Sequence, residues 1–512
     1  MECEMMKVLT VAQMIAAEKR SDEAGTSLAE LMENAAGALA EEIQRHCERL
    51  GCNEPLILAG KGNNGGDGIA AARILLSRGL RPKLMLCCGQ PATELSLAQL
   101  ERLGSECEIL EYSQESGSII QNAAVIADCI FGTGFKGEIR AGSAPIFENI
   151  GSSGAFIIAC DVPSGANTLS GEVSRLTVRA DVTVTMHAAK AGMLLSPARY
   201  FCGEIKVCDI GIPEGADRAD GDREVSLFDD ELKALLPERV PWGHKGTFGK
   251  LVCVCGSDRY TGAAAMSTEA AMRTGVGLTE LISTQKCISA LAGVRPEIIY
   301  SAAPDKDGIL SEAGSALIKQ RISSASAVLI GCGLGHNEES EGLVMKAVQE
   351  CAVPLVIDAD GINSLCTNID ILLKKRSAVI LTPHPAELAR LCGVSTAEIS
   401  SDREGYAAAL AKKYAVTVVS KGAETIVTDG SRSVIIRTGN TALSKAGSGD
   451  MLAGAIGSFA AQGCDAAAAS ILGCCVIGKS AQHLSEQLSE RGIIARDILS
   501  QLPLTLKAIE NS

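Results

Sequence analysis

Aromatic residues are scarce in this chain: Phe, Tyr and Trp make up 3% of 512 residues, with a single tryptophan, Trp242. The core must therefore be filled by Ala, Val, Ile and Leu. That suits parallel sheets covered by helices and suits base-stacking nucleic-acid modules poorly. Positive charge is also short, since 47 Lys and Arg face 61 Asp and Glu for a formal net charge of −14. Such a chain repels nucleic acid and anionic membrane surfaces, so a phosphate-bearing ligand must be held locally, by backbone amides or single cations. No apolar run approaches the ~18 residues of a membrane span. The opening MECEMMKVLTVAQMIAAEKRSDEAG lacks the apolar stretch of a secretory signal, and the expectation is a cytoplasmic protein. Only six histidines are present, and the 20 cysteines contain no Cys-x-x-Cys. A zinc pattern is thus missing, and cysteine reads as a small buried hydrophobe in a reducing compartment.

What is present points to an α/β protein. Hydrophobic residues are 46% and charged residues 21%, ordinary globular usage. After two helical stretches, the second opened by a Ser27–Glu30 capping box, short apolar runs alternate with helical ones: LILAG, KLMLCC, AAVIADCIF, AFIIAC, ADVTVTM, EIKVCDIGIP. That alternation predicts a mostly parallel, doubly wound sheet. It breaks in a polar, Gly/Asp-rich stretch, then restarts with KLVCVCG, SAVLIGCG, VPLVIDAD and AVILTPHP, followed by a TVVSKG–ETIVTDG hairpin and a helical block from Gly449. Two domains are expected, 1–213 and 226–512, joined by a linker at 214–225.

The functional signals lie at strand ends. Gly60, Gly62 and Gly65 match G-x-G-x-x-G between a strand and a helix, the setting in which glycines bring backbone N–H groups to a pyrophosphate. The next strand ends without the acid that reads a ribose in dinucleotide folds. A second glycine loop, Gly132 to Glu138, follows another strand, and Asp128 and Asp161-Val-Pro-Ser164 mark further strand ends. Asn64, Asp128 and Ser164 offer hard oxygen donors, a set for an alkali or alkaline-earth cation and not for zinc. Taken singly, each reads as a cap or turn residue. In the second half, Gly447-Ser-Gly-Asp450 opens a helix, where free N–H groups make an anion pocket and an Asp can take a proton from an attacking hydroxyl. Lys421-Gly-Ala-Glu-Thr425 adds a cation and backbone groups, and no Walker loop is present. His384, alone, reads more readily as a packed or capping residue.

The run MKVLTVAQM, ELMENA, GKGNNGGDG, ADCIFGTGFKGE, DVPSG and CDIGIP resembles the NAD(P)H-hydrate epimerases over about residues 6–213. The resemblance implies a Rossmann-like fold that interconverts the R and S hydrates of NADH and NADPH. Asn63, Asn64, Gly65, Gly66 and Asp67, with Gly132, Thr133, Gly134, Phe135, Lys136, Gly137 and Glu138, would hold the hydrate. Asp161 would be the catalytic, proton-transferring residue, and Asn64, Asp128 and Ser164 would bind a potassium ion.

From about 226 to 508, HKGTFG, GSDRYTGAA, GCGLG, VIDADGIN, LTPHPAE, KGAET and GSGD resemble the ribokinase-like NAD(P)H-hydrate dehydratases. This implies ADP-dependent (in some members ATP-dependent) dehydration of the S hydrate, with magnesium on the nucleotide. Asp450 would be the catalytic base. Ala264, Gly333 and His384 would join Asp450 in contacting the hydrate. Lys421, Gly422, Ala423, Glu424, Thr425 and Gly449 would bind the nucleotide. The chain departs from the family at Cys332 (proline expected), Ser448 (threonine) and Ala386, where glycine would matter if that backbone needs positive φ. The expectation is a bifunctional isomerase and lyase that repairs nicotinamide nucleotides, homo-oligomeric, binding neither nucleic acid nor membrane. The alternative is a ribokinase-like small-molecule kinase fused to a nucleotide-binding module.

Overall fold

The computed structural model describes residues 7–217, 224–227 and 232–511. The chain divides into two compact α/β units, Met1–Leu227 and Phe228–Ser512.

Unit 1 opens with β1 (Lys7–Leu9), α1 (Val11–Glu23) and α2 (Leu28–Leu50). Ser27 caps α2 as expected: its Oγ accepts from Glu30 N (3.3 Å), and the Glu30 carboxylate accepts from Ser27 N (2.8 Å). Leu31, Ala35, Leu39, Ile43 and Cys47, spaced four apart, form its buried stripe. The sheet follows as β2 (Leu56–Ala59), β3 (Lys83–Leu86), β4 (Glu108–Glu111), β5 (Val125–Cys129), β6 (Phe156–Cys160), β7 (Val182–Met186) and, after the short β8 (Ala189–Lys190), β9 (Glu204–Cys208). Its order is β4-β3-β2-β5-β6-β7-β9, with every adjacent pair parallel. β2, β5, β6 and β7 are buried along nearly their whole length, which is why they read as continuous apolar runs. The order reverses between β2 and β5. That reversal opens a crevice at the carboxyl ends, below the helices α3 (Asn63–Ser77) and α4 (Glu94–Leu103).

Of the stretch expected as a linker, residues 218–223 lie outside the described residues. Asp217 is buried in an ion pair with Lys7, 3.2 Å from His187 Nε2. β10 (Glu224–Leu227) pairs antiparallel with β1, whose other edge pairs parallel with β8. Where described, that stretch is therefore part of unit 1.

Unit 2 restarts the alternation with β11 (Lys250–Val254), β12 (Leu278–Ser283) and β13 (Ile299–Ala302). A small hairpin, β14 (Asp305–Lys306) and β15 (Ile309–Leu310), comes next. Then follow β16 (Ala327–Ile330), β17 (Leu355–Ile357), β18 (Val379–Leu381), β19 (Thr417–Ser420), β20 (Thr425–Thr428) and β21 (Arg432–Ile436). The order β13-β12-β11-β16-β17-β18-β19 is parallel, and β20 and β21 continue it antiparallel. The expected β19–β20 hairpin is present. Two cores, one on each side of this sheet, are built from Ala, Val, Leu, Ile and Cys with one methionine, Met451, one phenylalanine, Phe459, and one tyrosine, Tyr414, inside. None of the described cysteines is in a disulfide or exposed. No helix of the described residues is long and apolar enough to cross a membrane.

Candidate functional site

The crevice of unit 1 is a cavity of about 980 Å³. Asn63, Asn64 and Asp67 of α3 line it, together with Gly132, Thr133, Gly134, Phe135, Lys136 and Glu138 from the loop after β5, and Asp161 after β6. Two sequence-distant loops and a strand end are thus brought to one space. Gly65 and Gly66 do not line it. They pack against the Gly60 backbone and against Ser96 and Met32, positions where a Cβ would collide, so they seat α3 close enough for its N-terminus to border the cavity. Gly137 takes positive φ (79°) and turns the second loop. Glu138 is held by Ser174, whose Oγ donates to it at 2.7 Å, and by Arg175 N at 3.2 Å. Phe135 stacks on Phe131, ring centroids 5.4 Å apart.

Asp161 leaves β6 in the left-handed region (φ 61°), a conformation costly for a non-glycine residue. It turns the carboxylate onto Lys190, with which it forms an ion pair, and onto Thr185, whose Oγ1 donates to Oδ1 at 3.1 Å. The Lys190 side chain is 0% exposed. Its ammonium also donates to Thr185 Oγ1 (2.9 Å) and Met186 O (3.1 Å). Besides Glu138, two more carboxyls share the cavity with Asp161. Burial, aided by the Asp161 charge, raises Glu18 of α1 and holds Asp67 well above the usual carboxylate range; Lys190 pulls both the other way.

Below the loops, Asp128 is fully buried. It accepts from Ser164 Oγ (2.6 Å), Ser164 N (2.8 Å) and Ile130 N (3.3 Å). No cation partner is found for it among the described residues, and burial pushes its carboxyl up to about 6. Phe131 N donates to Ser164 Oγ at 2.8 Å. Asn64 Nδ2 is buried with no partner among the described residues, while a Cβ on Gly132 would stand 3.4 Å from Asn64 Oδ1. Turning that amide over exchanges the orphan donor for an acceptor. Asn64, Asp128 and Ser164 then offer amide, carboxylate and hydroxyl oxygens with one negative charge between them, hard donors of the kind that suit a monovalent cation such as potassium.

In unit 2 the helix Ser448–Ala461 begins at Gly447 (φ 93°), and Asp450 lies in its first turn. Asp450 meets Asp358, just past β17, and Cys332, just past β16; one ligand atom of each lies within 4.8 Å of the others. Asp358 Oδ1 accepts from Lys421 Nζ (2.9 Å) and Thr382 Oγ1 (2.6 Å), and Cys332 Sγ donates to Oδ2 at 3.5 Å. Burial pushes Asp450 up to about 7, the Asp358 charge adds to that, and Lys421 opposes it. A Cβ on Gly449 would stand 3.5 Å from Lys421 Nζ, so the glycine keeps the helix N-terminus open beside that ammonium. Ser448 Oγ is buried there with no partner among the described residues.

The remaining positions differ in kind. Ala264 is buried on the helix Thr261–Arg273, against Gly256. Gly333 has φ 60° and no room for a side chain, since a Cβ would come 2.6 Å from Ala263 Cβ. His384 caps the helix Pro385–Cys392: Nδ1 accepts from Ala386 N (3.1 Å) and Glu387 N (3.3 Å), leaving Nε2 3.3 Å from the Glu387 carboxylate. Burial lowers the imidazole. Ala386 is helical, so alanine fits where glycine was expected. Of the 421–425 stretch, Lys421 aims at Asp358, and Thr425 opens β20. Gly422, Ala423 and Glu424 form a turn over the Arg403 guanidinium, which donates to Lys421 O (3.0 Å) and Glu424 O (2.6 Å). A side chain on Gly422 would meet that guanidinium.

Sequence reasoning missed Lys190, Glu18, Asp358 and Arg403. A lysine inside an apolar strand-end run (HAAKAG) and an acid at a strand end (VIDAD) were available signals for two of them. Nothing local marked Glu18 or Arg403.

Two family models match the chain: "NAD(P)H-hydrate dehydratase" over residues 251–504 and "YjeF-related protein N-terminus" over residues 28–192. The bifunctional NAD(P)H-hydrate repair enzyme Nnr of Moorella thermoacetica is 33% identical over 492 residues, covering 94% of this chain and 92% of the relative. The protein of the same name from Escherichia coli is 32% identical over 453 residues, covering 87% and 84%. A solved structure of the ADP/ATP-dependent NAD(P)H-hydrate dehydratase from Bacillus subtilis, co-crystallised with ATP and Mg2+, is 28% identical with a TM-score of 0.48, covering 56% of this chain and 98% of that one.

Proposed function

The chain belongs to the family of bifunctional NAD(P)H-hydrate repair enzymes, and from that premise we propose how its two units divide the work. Unit 1 interconverts the R and S hydrates of NADH and NADPH. Unit 2 returns the S hydrate to NADH or NADPH at the expense of ADP, giving AMP and phosphate. The observation that carries this reading is a pair of carboxylates, each with a lysine close by: Asp161 just after β6 with the buried Lys190, and Asp450 in a first helical turn beside Asp358, which accepts from Lys421.

Both reactions act on the ring carbon bearing the added hydroxyl, next to the ring nitrogen. In unit 1 the hydroxyl takes a proton from Asp161 and leaves as water, the nitrogen lone pair forming a C=N bond; water then adds to the other face and the C=N electrons return to nitrogen. Asp161 is placed to accept the proton of the returning water, and the loop bearing Phe135 borders the ring. In unit 2 Asp450 takes the hydroxyl proton as that oxygen attacks the terminal phosphorus of ADP, and AMP departs. Phosphate then leaves the ring carbon, pushed by the nitrogen lone pair, and loss of the neighbouring C–H proton restores the double bond. Phosphorylation turns hydroxide, a poor leaving group, into a good one. Gly449 and Lys421 keep room and positive charge at the helix N-terminus for the phosphates, with the 422–424 turn, braced by Arg403, and Thr425 beside them. Magnesium on ADP would neutralise phosphate charge. The same reading makes the enzyme a cytoplasmic homo-oligomer that avoids nucleic acid and membranes, in keeping with its net charge of −14.

Incubation of the protein with a mixed pool of R and S hydrates tests this. With ADP and magnesium, NADH absorbance returns from the whole pool. No return overturns the dehydratase reading, and a phosphorylated product that persists assigns a kinase instead.

Potassium would sit on Asn64, Asp128 and Ser164 and supply one positive charge to an otherwise uncompensated carboxylate. Because the Asp128 carboxyl is raised to about 6, ionising it costs unit 1 stability as pH rises toward and through that value. Potassium should therefore raise the unfolding temperature at pH 7.5, by about 2–4 °C for each ~1 kcal/mol of binding free energy. At pH 5, where the carboxyl is protonated, the gain should shrink. A potassium response that survives Asp128→Asn places the ion elsewhere.

A further inference from the structure

The cavity of unit 1 extends past the N-terminus of α3 to the end of β3, where Lys61, Cys88, Thr93 and Leu95 line it. In a sheet that reverses between β2 and β5, a dinucleotide lies across the switch point with its pyrophosphate near the helix N-terminus. Asp161, after β6, marks the nicotinamide end, so the adenosine half falls over β3. An acid at the end of that strand reads a free ribose 2′-hydroxyl, whereas a nearby cation accommodates a 2′-phosphate. Here the residues following β3 are Cys87, Cys88, Gly89 and Gln90, none acidic. A Cβ on Gly89 would stand 3.8 Å from Lys61 Cε and 4.0 Å from its ammonium, so Lys61 lies over this strand end. Its backbone is fixed there by Ala92 N donating to Lys61 O at 2.9 Å. Lys61 makes no salt bridge among the described residues. The neighbouring acids do not line the cavity: Glu111 at the end of β4 accepts from Gln90 Nε2 at 3.1 Å, and Glu94 opens α4.

We infer that Lys61 reads the 2′-phosphate of the adenosine ribose, so that the epimerase site prefers the hydrate of NADPH to that of NADH. The inference rests on the epimerase assignment of unit 1 and names which of its substrates the site selects. In a chain this acidic, an ammonium set over a strand end without an acid is a local exception, suited to a phosphate monoester that one substrate carries and the other lacks.

The test is the ratio of kcat/KM for R-NADPH hydrate to that for R-NADH hydrate. It is measured on the full chain without ADP, so that only epimerisation is followed, and at low ionic strength, where an exposed cation is least screened. The wild-type ratio should be roughly tenfold in favour of NADPH hydrate, the order expected of one charge-assisted hydrogen bond. Lys61→Ala should bring the ratio near one, and Lys61→Glu should invert it. A wild-type ratio near one, or a ratio unchanged in both variants, overturns the inference. So does an equal fall for both substrates, which would assign Lys61 to the pyrophosphate they share. If the wild-type protein epimerises neither hydrate, the epimerase assignment itself fails and takes this inference with it.

Discussion

Asp450→Asn should lower ADP-dependent dehydration of the S hydrate by ~10²–10⁴-fold, the usual contribution of a positioned general base, while R-to-S epimerisation continues at the wild-type rate. Asparagine keeps the size and the helix N-terminal position but cannot take the hydroxyl proton. Loss of both activities would contradict the separate placement of the two sites. The wild-type pH profile carries the same assignment. Burial and the Asp358 charge push Asp450 up to about 7, so below that pH the carboxyl is protonated and cannot act as base. kcat/KM for the S hydrate should therefore rise about tenfold per pH unit until pH ~7 and then level, since this limb reports the free enzyme. Lys421 favours the ionised form, and Lys421→Met should move the limb to higher pH. A profile flat from pH 5 to 8 would remove Asp450 from the base role.

The second large effect belongs to Asp161 and Lys190. Asp161→Asn should cut epimerisation by a similar ~10²–10⁴-fold and leave recovery of NADH from pure S hydrate intact. Lys190→Met should act differently. It strands a carboxylate whose side chain is 16% exposed, and removing one partner of a buried pair costs about 3–5 kcal/mol. Urea unfolding should show that loss. The double variant Asp161→Asn/Lys190→Met should recover most of the stability and none of the activity, because a neutral pair needs no counter-charge but still lacks a proton acceptor. If the double variant is no more stable than Lys190→Met alone, the ion pair is not what Lys190 contributes.

The glycine loops were legible because their chemistry is local. The turn at Gly137 and the helix start at Gly447–Asp450 depend on residues a few positions apart, whereas Gly65, expected to bring backbone to a pyrophosphate, packs on the Gly60 backbone and does not line the cavity. The strand runs were legible for the same reason, since a strand buried on both faces needs unbroken apolar sequence. His384 shows the opposite weighting: its capping role, the simpler reading of a lone histidine, is the geometry observed, with Nδ1 on the helix N–H groups.

What escaped was charge arrangement. Lys190 and Asp161 are 29 residues apart, and Lys421 and Asp358 are 63 apart. Lys190 comes shortly after β7, the neighbour of β6, while β18 lies between the strands that end at Asp358 and Lys421; each pair meets only because parallel strands of one sheet end at the same edge. Composition and motif spacing determined two α/β units with largely parallel sheets, glycine-rich loops and acids placed at strand ends and a helix start, and cores built mostly from aliphatic residues. Only the tertiary structure decided which lysine faces each acid, that Glu18 and Asp67 share Asp161's cavity, and that Arg403 braces the 422–424 turn. Burial and charge pairing depend on strand order and close approach across the sheet, and no local pattern in the chain encodes those distances.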